Sequence, residues 1–204
     1  MSHSYYYDMN THEFIQDIES YKKQLTIIGL SGYGRYGKDT VASFLVERGF
    51  TRLAFADILR EALYVLNPYL PTSGGKFVRL ADYVDEFGWE VAKKNDQVRL
   101  YIQRIGSDVG RDLIHKDIWV DSLFDRMSLD TKYVISDVRF FNEANRVRRH
   151  GGQMWRINRP GCGPVNGHYS EIVLDEYNFD HVIDNSGSEK DLEDKVLDLI
   201  GTLV

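Results

Sequence analysis

The sequence predicts an α/β fold in which a parallel β-sheet carries helices on both faces, and three observations predict it. Short apolar runs alternate along the chain with segments in which apolar residues recur at helical spacing, the pattern of consecutive strand–helix units. A glycine-rich turn joins the first apolar run to the first such segment. A later apolar run ends abruptly in charged residues, as strands do at a sheet edge where ligands bind.

The individual elements follow from periodicity and from capping and turn residues. The predicted strands lie at 25–30, 51–55, 132–140, 153–157 and within 181–187. The predicted helices lie at 11–24, about 38–48, 56–67, 141–151 and 188–200, and within 77–128, where breaks are expected near Gly88 and near Gly106–Gly110. Proline and glycine predict loops at 67–76 and 159–171, and Ser188 is expected to cap the last helix.

The stretch LTIIGLSGYGRYGKDT (25–40) holds the pattern G-x4-G-K between a predicted strand and a predicted helix. In that context the pattern is typical of a phosphate-binding loop, because glycines let the backbone wrap an anion and the helix N-terminus faces it. Asp39 stands where a Mg2+-binding hydroxyl usually follows the lysine, and a carboxylate also suits Mg2+. The expected nucleotide phosphate contacts are Gly32, Gly34, Arg35, Tyr36, Gly37, Lys38, Asp39 and Thr40.

The strand within YVISDVRF ends on Asp137, with Arg139 two residues later. Because ligands bind outside the carboxyl ends of parallel strands, both side chains are expected beside the loop. Asp137 is then a candidate Mg2+ ligand together with Asp39, and Arg139 a candidate clamp for a phosphate. A surface turn with an Asp–Arg pair is the alternative interpretation.

Three further charged segments are candidates for binding a second, phosphorylated substrate. The first is Asp57 and Arg60 at the start of a helix; the second is Gln103, Arg104, Asp108 and Arg111; the third is Arg159 with Glu171, in the loop that also holds His168. Arg104 and Arg111 share a face if their helix is continuous. Each set also has an ordinary interpretation as a solvated charged face, and Trp119 is expected in the core.

Composition excludes several classes of protein. The net charge of −6 and pI near 5.5 argue against binding nucleic acid through bulk positive charge. A single cysteine permits no intramolecular disulfide and fits a reducing compartment. No apolar run approaches membrane-spanning length, and the N-terminus lacks the features of a signal peptide. A cytoplasmic protein with no nucleic-acid or membrane partner is therefore expected.

Taken together, these motifs resemble those of the bacteriophage deoxynucleoside monophosphate kinases, from about Leu25 to Gly187. The resemblance rests on the strings LSGYGRYGKDT, FADILREAL, QRIGSDVGRD, DIWV, SDVRFFNEA, INRPG, HYSE and VIDNSGS. It implies a three-layer P-loop kinase fold over 25–204, with a helical acceptor-binding part at about 56–128 and a lid at about 159–171. Residues 1–24 would be an N-terminal extension outside the resemblance.

The resemblance also implies an activity: transfer of the γ-phosphoryl group of ATP to a deoxynucleoside 5′-monophosphate, with Mg2+, in the cytoplasm of the host cell. By the same resemblance Lys38, Arg104 and Arg139 would act in catalysis. The acceptor would be bound by Asp57, Arg60, Gln103, Arg104, Asp108, Arg111, Arg139, Arg159 and Glu171. A homodimer is compatible with related kinases.

Two alternatives stay open at this stage. Phosphomevalonate kinases of animals look similar in places, so another small phosphorylated acceptor, including dephospho-coenzyme A, fits the loop equally well. A nucleotide-binding module without an acceptor is a different class, and the several arginines expected around a second site argue against it. The sequence leaves open which base is accepted and whether deoxyribose is preferred.

Overall fold

The structure is a computed structural model that describes residues 26–72, 75–161, 163 and 172–201. Its strands are β1 (Thr26–Ser31), β2 (Phe50–Leu53), β3 (Tyr69–Pro71), β4 (Phe77–Arg79), β5 (Lys132–Ile135), β6 (Gln153–Asn158) and β7 (His181–Asp184). Five of them form one sheet in the order β2-β5-β1-β6-β7, and every pairing in it is parallel. The predicted parallel α/β architecture is confirmed.

The helices are α1 (Lys38–Glu47), α2 (Phe55–Leu66), α3 (Leu80–Phe87), α4 (Trp89–Ala92), α5 (Asp96–Arg104), a π-helix (Ile105–Ile114), α6 (Ile118–Phe124), α7 (Phe141–Arg149) and α8 (Glu189–Gly201). Leu45 of α1 and Val196 of α8 pack in one core cluster, and Leu123 of α6 and Val147 of α7 pack in another. Helices therefore cover both faces of the sheet, which confirms the three-layer expectation.

The central strand β1 explains why the first apolar run is continuous and does not alternate. Ile28 belongs to one core cluster and Ile27 to the other, and both are almost fully buried. A strand with helices on both faces must be apolar at successive positions. Its carboxyl end then delivers the chain directly into the glycine-rich loop, at the edge of the sheet where ligands bind.

A third, smaller core lies in the helical part between β2 and β5. Its buried members include Leu63 of α2, Leu70 of β3, Leu80 of α3 and Val98 of α5. The prediction of a loop at 67–76 was wrong at Tyr69–Pro71, which form β3 and pair with β4 in an antiparallel hairpin. Leu70 is 1% exposed between two exposed neighbours, which is the alternation of a strand with one buried face. The proline and glycine residues on either side of it made the segment resemble a loop.

The prediction of a break near Gly106–Gly110 was also wrong, whereas the break at Gly88 is confirmed by its φ of 74°. From Ile105 to Ile114 the chain continues α5 as a π-helix. Trp119, buried as expected, donates its indole N–H to the carbonyl oxygen of Gly106 at 2.8 Å. A Cβ at Gly110 would lie 2.5 Å from the indole ring, so the glycine at this position allows the helix to pass over the tryptophan.

Two predicted strands are shorter than expected, since β2 ends at Leu53 and β5 at Ile135. The predicted helix at 11–24 lies outside the described residues, as do His168, Glu171 and most of the loop at 159–171. Within the described ranges, no helix has the length and apolar character needed to cross a membrane.

Candidate active site

The loop between β1 and α1 depends on two glycines that no other residue could replace without strain. Gly32 has a φ of 143°, and a Cβ there would lie 2.5 Å from the carbonyl oxygen of Ile157 on β6. Gly37 has a φ of 97°, and its Cβ would lie 2.5 Å from Nδ2 of Asn185. Both conformations are ones that L side chains rarely adopt. The loop therefore fits closely between β6 and the segment after β7.

Lys38, the first residue of α1, folds back over this loop. Its Nζ donates hydrogen bonds of 2.8 Å to the carbonyl oxygens of Gly32 and Tyr33. Burial, and next the positive charge of Arg139, lower the pKa of Lys38 to about 8. An anion bound in the loop would favour the charged amine. The amine of Lys38 therefore lies inside the loop, bound to two of its carbonyl oxygens, and its role in binding phosphate stays a prediction.

A cleft of about 470 Å³ opens beside the loop. The N-termini of α1 and α8 border it, which brings two positive helix ends to one site. The residues that line it are Arg35, Gly37, Lys38, Asp39, Thr40, Arg159, Asn185, Gly187, Glu189 and Leu192. The structure thus places Arg159 together with the predicted phosphate contacts, although the sequence had assigned it to the second substrate.

Asn185 is a site residue that sequence reasoning missed. Its side chain is 9% exposed and donates through Nδ2 to the carbonyl oxygen of Tyr36 at 2.9 Å. This contact joins residues 149 positions apart. No local pattern in the sequence marks it; the only signal was its position directly after a strand of the parallel sheet.

Asp137, just past β5, is half-buried and holds the start of α2. Its two carboxylate oxygens accept the backbone N–H groups of Phe55 and Ala56, each at 2.9 Å. Burial raises the pKa of Asp137 above its usual value, and the two hydrogen bonds oppose that shift. A nearby cation would favour the charged carboxylate.

Asp39 is exposed in the first turn of α1, and its charge, like that of Asp137, acts on Lys38. Across the described ranges no group of three His, Cys, Asp or Glu side chains could hold a metal ion. Mg2+ in nucleotide sites is commonly bound by one or two carboxylates plus phosphate oxygens. The assignment of Asp39 and Asp137 as Mg2+ ligands fits that chemistry and stays a prediction.

Two of the predicted acceptor arginines meet at a carboxylate that the sequence analysis did not single out. Glu143 on α7 is 2% exposed and accepts from Nη2 of Arg111 at 2.7 Å. Its other oxygen accepts the backbone N–H groups of Arg139 at 2.7 Å and Phe140 at 3.1 Å. Burial raises the pKa of Glu143 to about 7, although the charge of Arg111 opposes the shift.

The remaining predicted acceptor residues are arranged differently. Arg60 pairs with Asp57 at 2.8 Å, and Asp57 also pairs with Arg52 at 2.8 Å. Three others have exposed side chains with no hydrogen bond or ion pair to another described residue: Gln103, Arg104 and Asp108. The structure does not bring these three to the loop, and the π-helix between Arg104 and Arg111 removes the α-helical spacing on which their shared face depended.

Tyr33 of the loop also lines a second cleft, of about 560 Å³. Its hydroxyl donates to Asp175 at 2.5 Å, and Asp175 in turn accepts from Arg156 at 2.6 Å. The guanidinium of Arg156 lies 4.9 Å from the centre of the Tyr33 ring. Arg156, which lies on β6, therefore ties the loop to the segment before β7.

The geometry can be compared with known proteins. Residues 76–196 match a family model described as deoxynucleotide monophosphate kinase. A protein of Acanthamoeba polyphaga mimivirus whose description names the same activity is 28% identical over 199 residues, covering 86% of this chain and 96% of that protein. The deoxynucleotide monophosphate kinase of Escherichia phage RB69 is 26% identical over 162 residues, covering 71% of this chain and 66% of the relative.

Solved structures of other kinases are similar at lower identity. The dephospho-CoA kinase from Campylobacter jejuni has a TM-score of 0.45 at 14% identity, covering 87% of this chain and 97% of that structure. The shikimate kinase from Aquifex aeolicus vf5 has a TM-score of 0.41 at 11% identity, covering 87% and 98% of the two chains.

Proposed function

The chain belongs to the deoxynucleotide monophosphate kinase family, and we propose that it transfers the γ-phosphoryl group of ATP to a deoxynucleoside 5′-monophosphate. The observation that carries the proposal is the position of Lys38. Lys38 follows a glycine loop that opens on a cleft of about 470 Å³, and it lies close enough to Arg139 for the two charges to interact. Donor and acceptor phosphates would therefore meet at one lysine.

The donor would occupy the loop and the adjoining cleft. Its phosphates would accept hydrogen bonds from the backbone N–H groups of the loop and of the first turn of α1, which have no partner within the helix. Lys38 would bridge the β- and γ-phosphates, and Thr40 would approach the α-phosphate. Arg35 and Arg159 border the same cleft and would add positive charge along the polyphosphate.

The acceptor would bind over the helical part at 56–128, which has a small core of its own. Arg111 and Arg139 would hold its phosphate. Arg60 would lie near them, because it pairs with Asp57 and the charge of Asp57 acts on Asp137. Gln103, Arg104 and Asp108 would approach such an acceptor through a movement of α5 and the π-helix. We propose them as residues that close over the nucleotide, together with the lid at 159–171.

The reaction would be a direct displacement at phosphorus. An oxygen of the acceptor phosphate forms a bond to the γ-phosphorus, the bond from that phosphorus to the β–γ bridging oxygen breaks, and ADP leaves with the electron pair. The attacking oxygen is already anionic, so no strong base is required. Mg2+, held by Asp39 and Asp137, would neutralise charge on the phosphates. Lys38, Arg111 and Arg139 would stabilise the charge spread over the transferring group.

The test is ADP formation from Mg-ATP, with each common deoxynucleoside monophosphate, each ribonucleoside monophosphate and phosphomevalonate offered singly. Turnover of deoxynucleotides that is lost in Lys38→Ala would support the proposal and reveal the accepted bases. Lys132→Ala is the matched control, since Lys132 is an exposed lysine at the amino-terminal end of β5, and the loop lies at the carboxyl end of the parallel sheet. Turnover of phosphomevalonate alone, or tight ATP binding without any turnover, would contradict it.

A further inference from the structure

The buried carboxylate of Glu143 connects two separate parts of the acceptor side. Glu143 is the third residue of α7, and Arg111 comes from the π-helix 32 positions earlier. One carboxylate oxygen accepts a hydrogen bond from the guanidinium of Arg111, and the other accepts hydrogen bonds from the backbone N–H groups of Arg139 and Phe140. A single side chain thus fixes both the head group of one arginine and the backbone of another.

Helix capping alone does not account for this arrangement. A glutamate at the third helical position commonly accepts the N–H of the capping residue while its side chain remains near solvent. Here the carboxylate is 2% exposed, and burying a charged group is costly unless it is paired. Arg111 provides this partner. Capping α7 requires only an exposed carboxylate, so the buried ion pair indicates a further role for Glu143.

Arg111 is held on two sides. Its guanidinium lies 4.0 Å from the centre of the Phe140 ring, and Glu143 fixes it from another direction. The side chain of Arg111 is 18% exposed, so the protein encloses most of it and a small part faces solvent. An arginine has five N–H donors, and Glu143 engages Nη2 alone. No other described residue accepts a hydrogen bond from the remaining donors, and an anion at the exposed part of the head group would bind them.

We propose that Glu143 is a positioning residue of the acceptor-phosphate site, which orients Arg111 and Arg139 together toward the phosphate of the nucleoside monophosphate. The inference rests on the proposed function. It is supported by Arg139, whose backbone Glu143 fixes and whose charge acts on Lys38 in the loop. Planar guanidinium groups bind phosphate well only when their orientation is set. Glu143 would set it by its hydrogen bonds to the head group of Arg111 and to the backbone of Arg139.

The decisive variant is Glu143→Gln, assayed for the Michaelis constants of both substrates. The amide preserves size and can accept the backbone N–H groups, but it cannot pair with Arg111. We expect the KM for the deoxynucleoside monophosphate to rise about tenfold or more, while the KM for ATP stays within about twofold of wild type. A residue that only caps α7 would lower thermal stability and leave both constants unchanged, and that result would overturn the proposal.

Asp121→Asn is the matched control, because Asp121 on α6 pairs at 2.5 Å with Arg146 on α7, the helix that carries Glu143, and lies outside the site. It should leave both Michaelis constants unchanged. If Glu143→Gln does not fold, Arg111→Lys tests the link from its other end, since lysine keeps the charge but not the planar fork. An unchanged acceptor KM in Arg111→Lys would overturn the inference. A wild-type protein that turns over no deoxynucleotide would instead refute the proposed function itself.

Discussion

Asp137 caps the helix that begins at Phe55: its Oδ1 accepts the Phe55 N–H at 2.9 Å, and its Oδ2 accepts the next N–H along the chain. The same carboxylate is the predicted Mg2+ ligand. Both oxygens retain a second lone pair, so the two roles are compatible. The end of one strand therefore fixes the start of α2, and by the proposed function it would also border the donor phosphates.

Replacing Asp137 by asparagine separates these two roles. The amide of the new side chain would accept only one of the two N–H groups, so we expect Asp137→Asn to lower the free energy of unfolding by about 1–2 kcal/mol. If the carboxylate also binds Mg2+, the Mg2+ concentration at half-maximal activity should rise by about tenfold. Urea unfolding and a Mg2+ titration of initial rates measure the two effects.

The control for Asp137→Asn is Asp180→Asn. Asp180 accepts the N–H of Met154 at 2.7 Å, a comparable structural bond at another strand. It should lower stability without altering the Mg2+ titration. An Asp137→Asn enzyme with reduced stability and an unchanged titration would show that Asp137 is structural and that Mg2+ is bound without it.

Gly110→Ala should disturb the π-helix and with it the neighbouring Arg111. The new methyl group would lie 2.5 Å from the Trp119 ring, and overpacking of this kind costs about 1–3 kcal/mol. We also expect weaker binding of the acceptor, because Arg111 must shift with the backbone. Thermal unfolding and the acceptor KM are the measurements.

Gly106→Ala is a close counterpart in the same helix. Its methyl group would meet only a methyl of Leu59, at 3.2 Å, which can rotate away, and alanine favours helix by about 1 kcal/mol over glycine. Its net effect on stability should be small. An equal loss of stability in the two variants would mean that the clash with Trp119 is not the cause of the destabilisation in Gly110→Ala.

The stability of the protein should fall with rising pH because of Glu143. Burial raises its pKa to about 7 from an ordinary 4.5, so ionisation is harder in the folded state than in the unfolded chain. This contribution is fully present below about pH 4.5 and is lost as the pH rises toward 7, by up to ~3 kcal/mol. Glu143→Gln does not titrate there, so urea unfolding of both proteins at pH 5 and pH 8 isolates the effect. A pH-independent difference between them would contradict it.

The sheet and the glycine-rich turn between β1 and α1 were predictable because each is encoded over a few consecutive residues. Gly32 and Lys38 are six positions apart, and the apolar run before them specifies a central strand. Glu143 and Asn185 were not predictable in this way, because their roles depend on contacts with residues 32 and 149 positions away. The π-helix was missed for a related reason: Gly106 and Gly110 resemble a break until Trp119 is packed against them.

Asn185→Ala should affect the donor side alone. The amide of Asn185 donates to the carbonyl oxygen of Tyr36 in the loop at 2.9 Å, and a buried hydrogen bond of this kind contributes about 1 kcal/mol. Since the loop is then less rigidly held, the KM for ATP should rise about fivefold to tenfold, with the acceptor KM unchanged. Asn178→Ala is the control, because Asn178 is exposed and contacts Arg148 through its backbone oxygen. Glu143→Gln is expected to show the opposite pattern, so equal changes in both Michaelis constants in either variant would mean that the two halves of the site are not held independently.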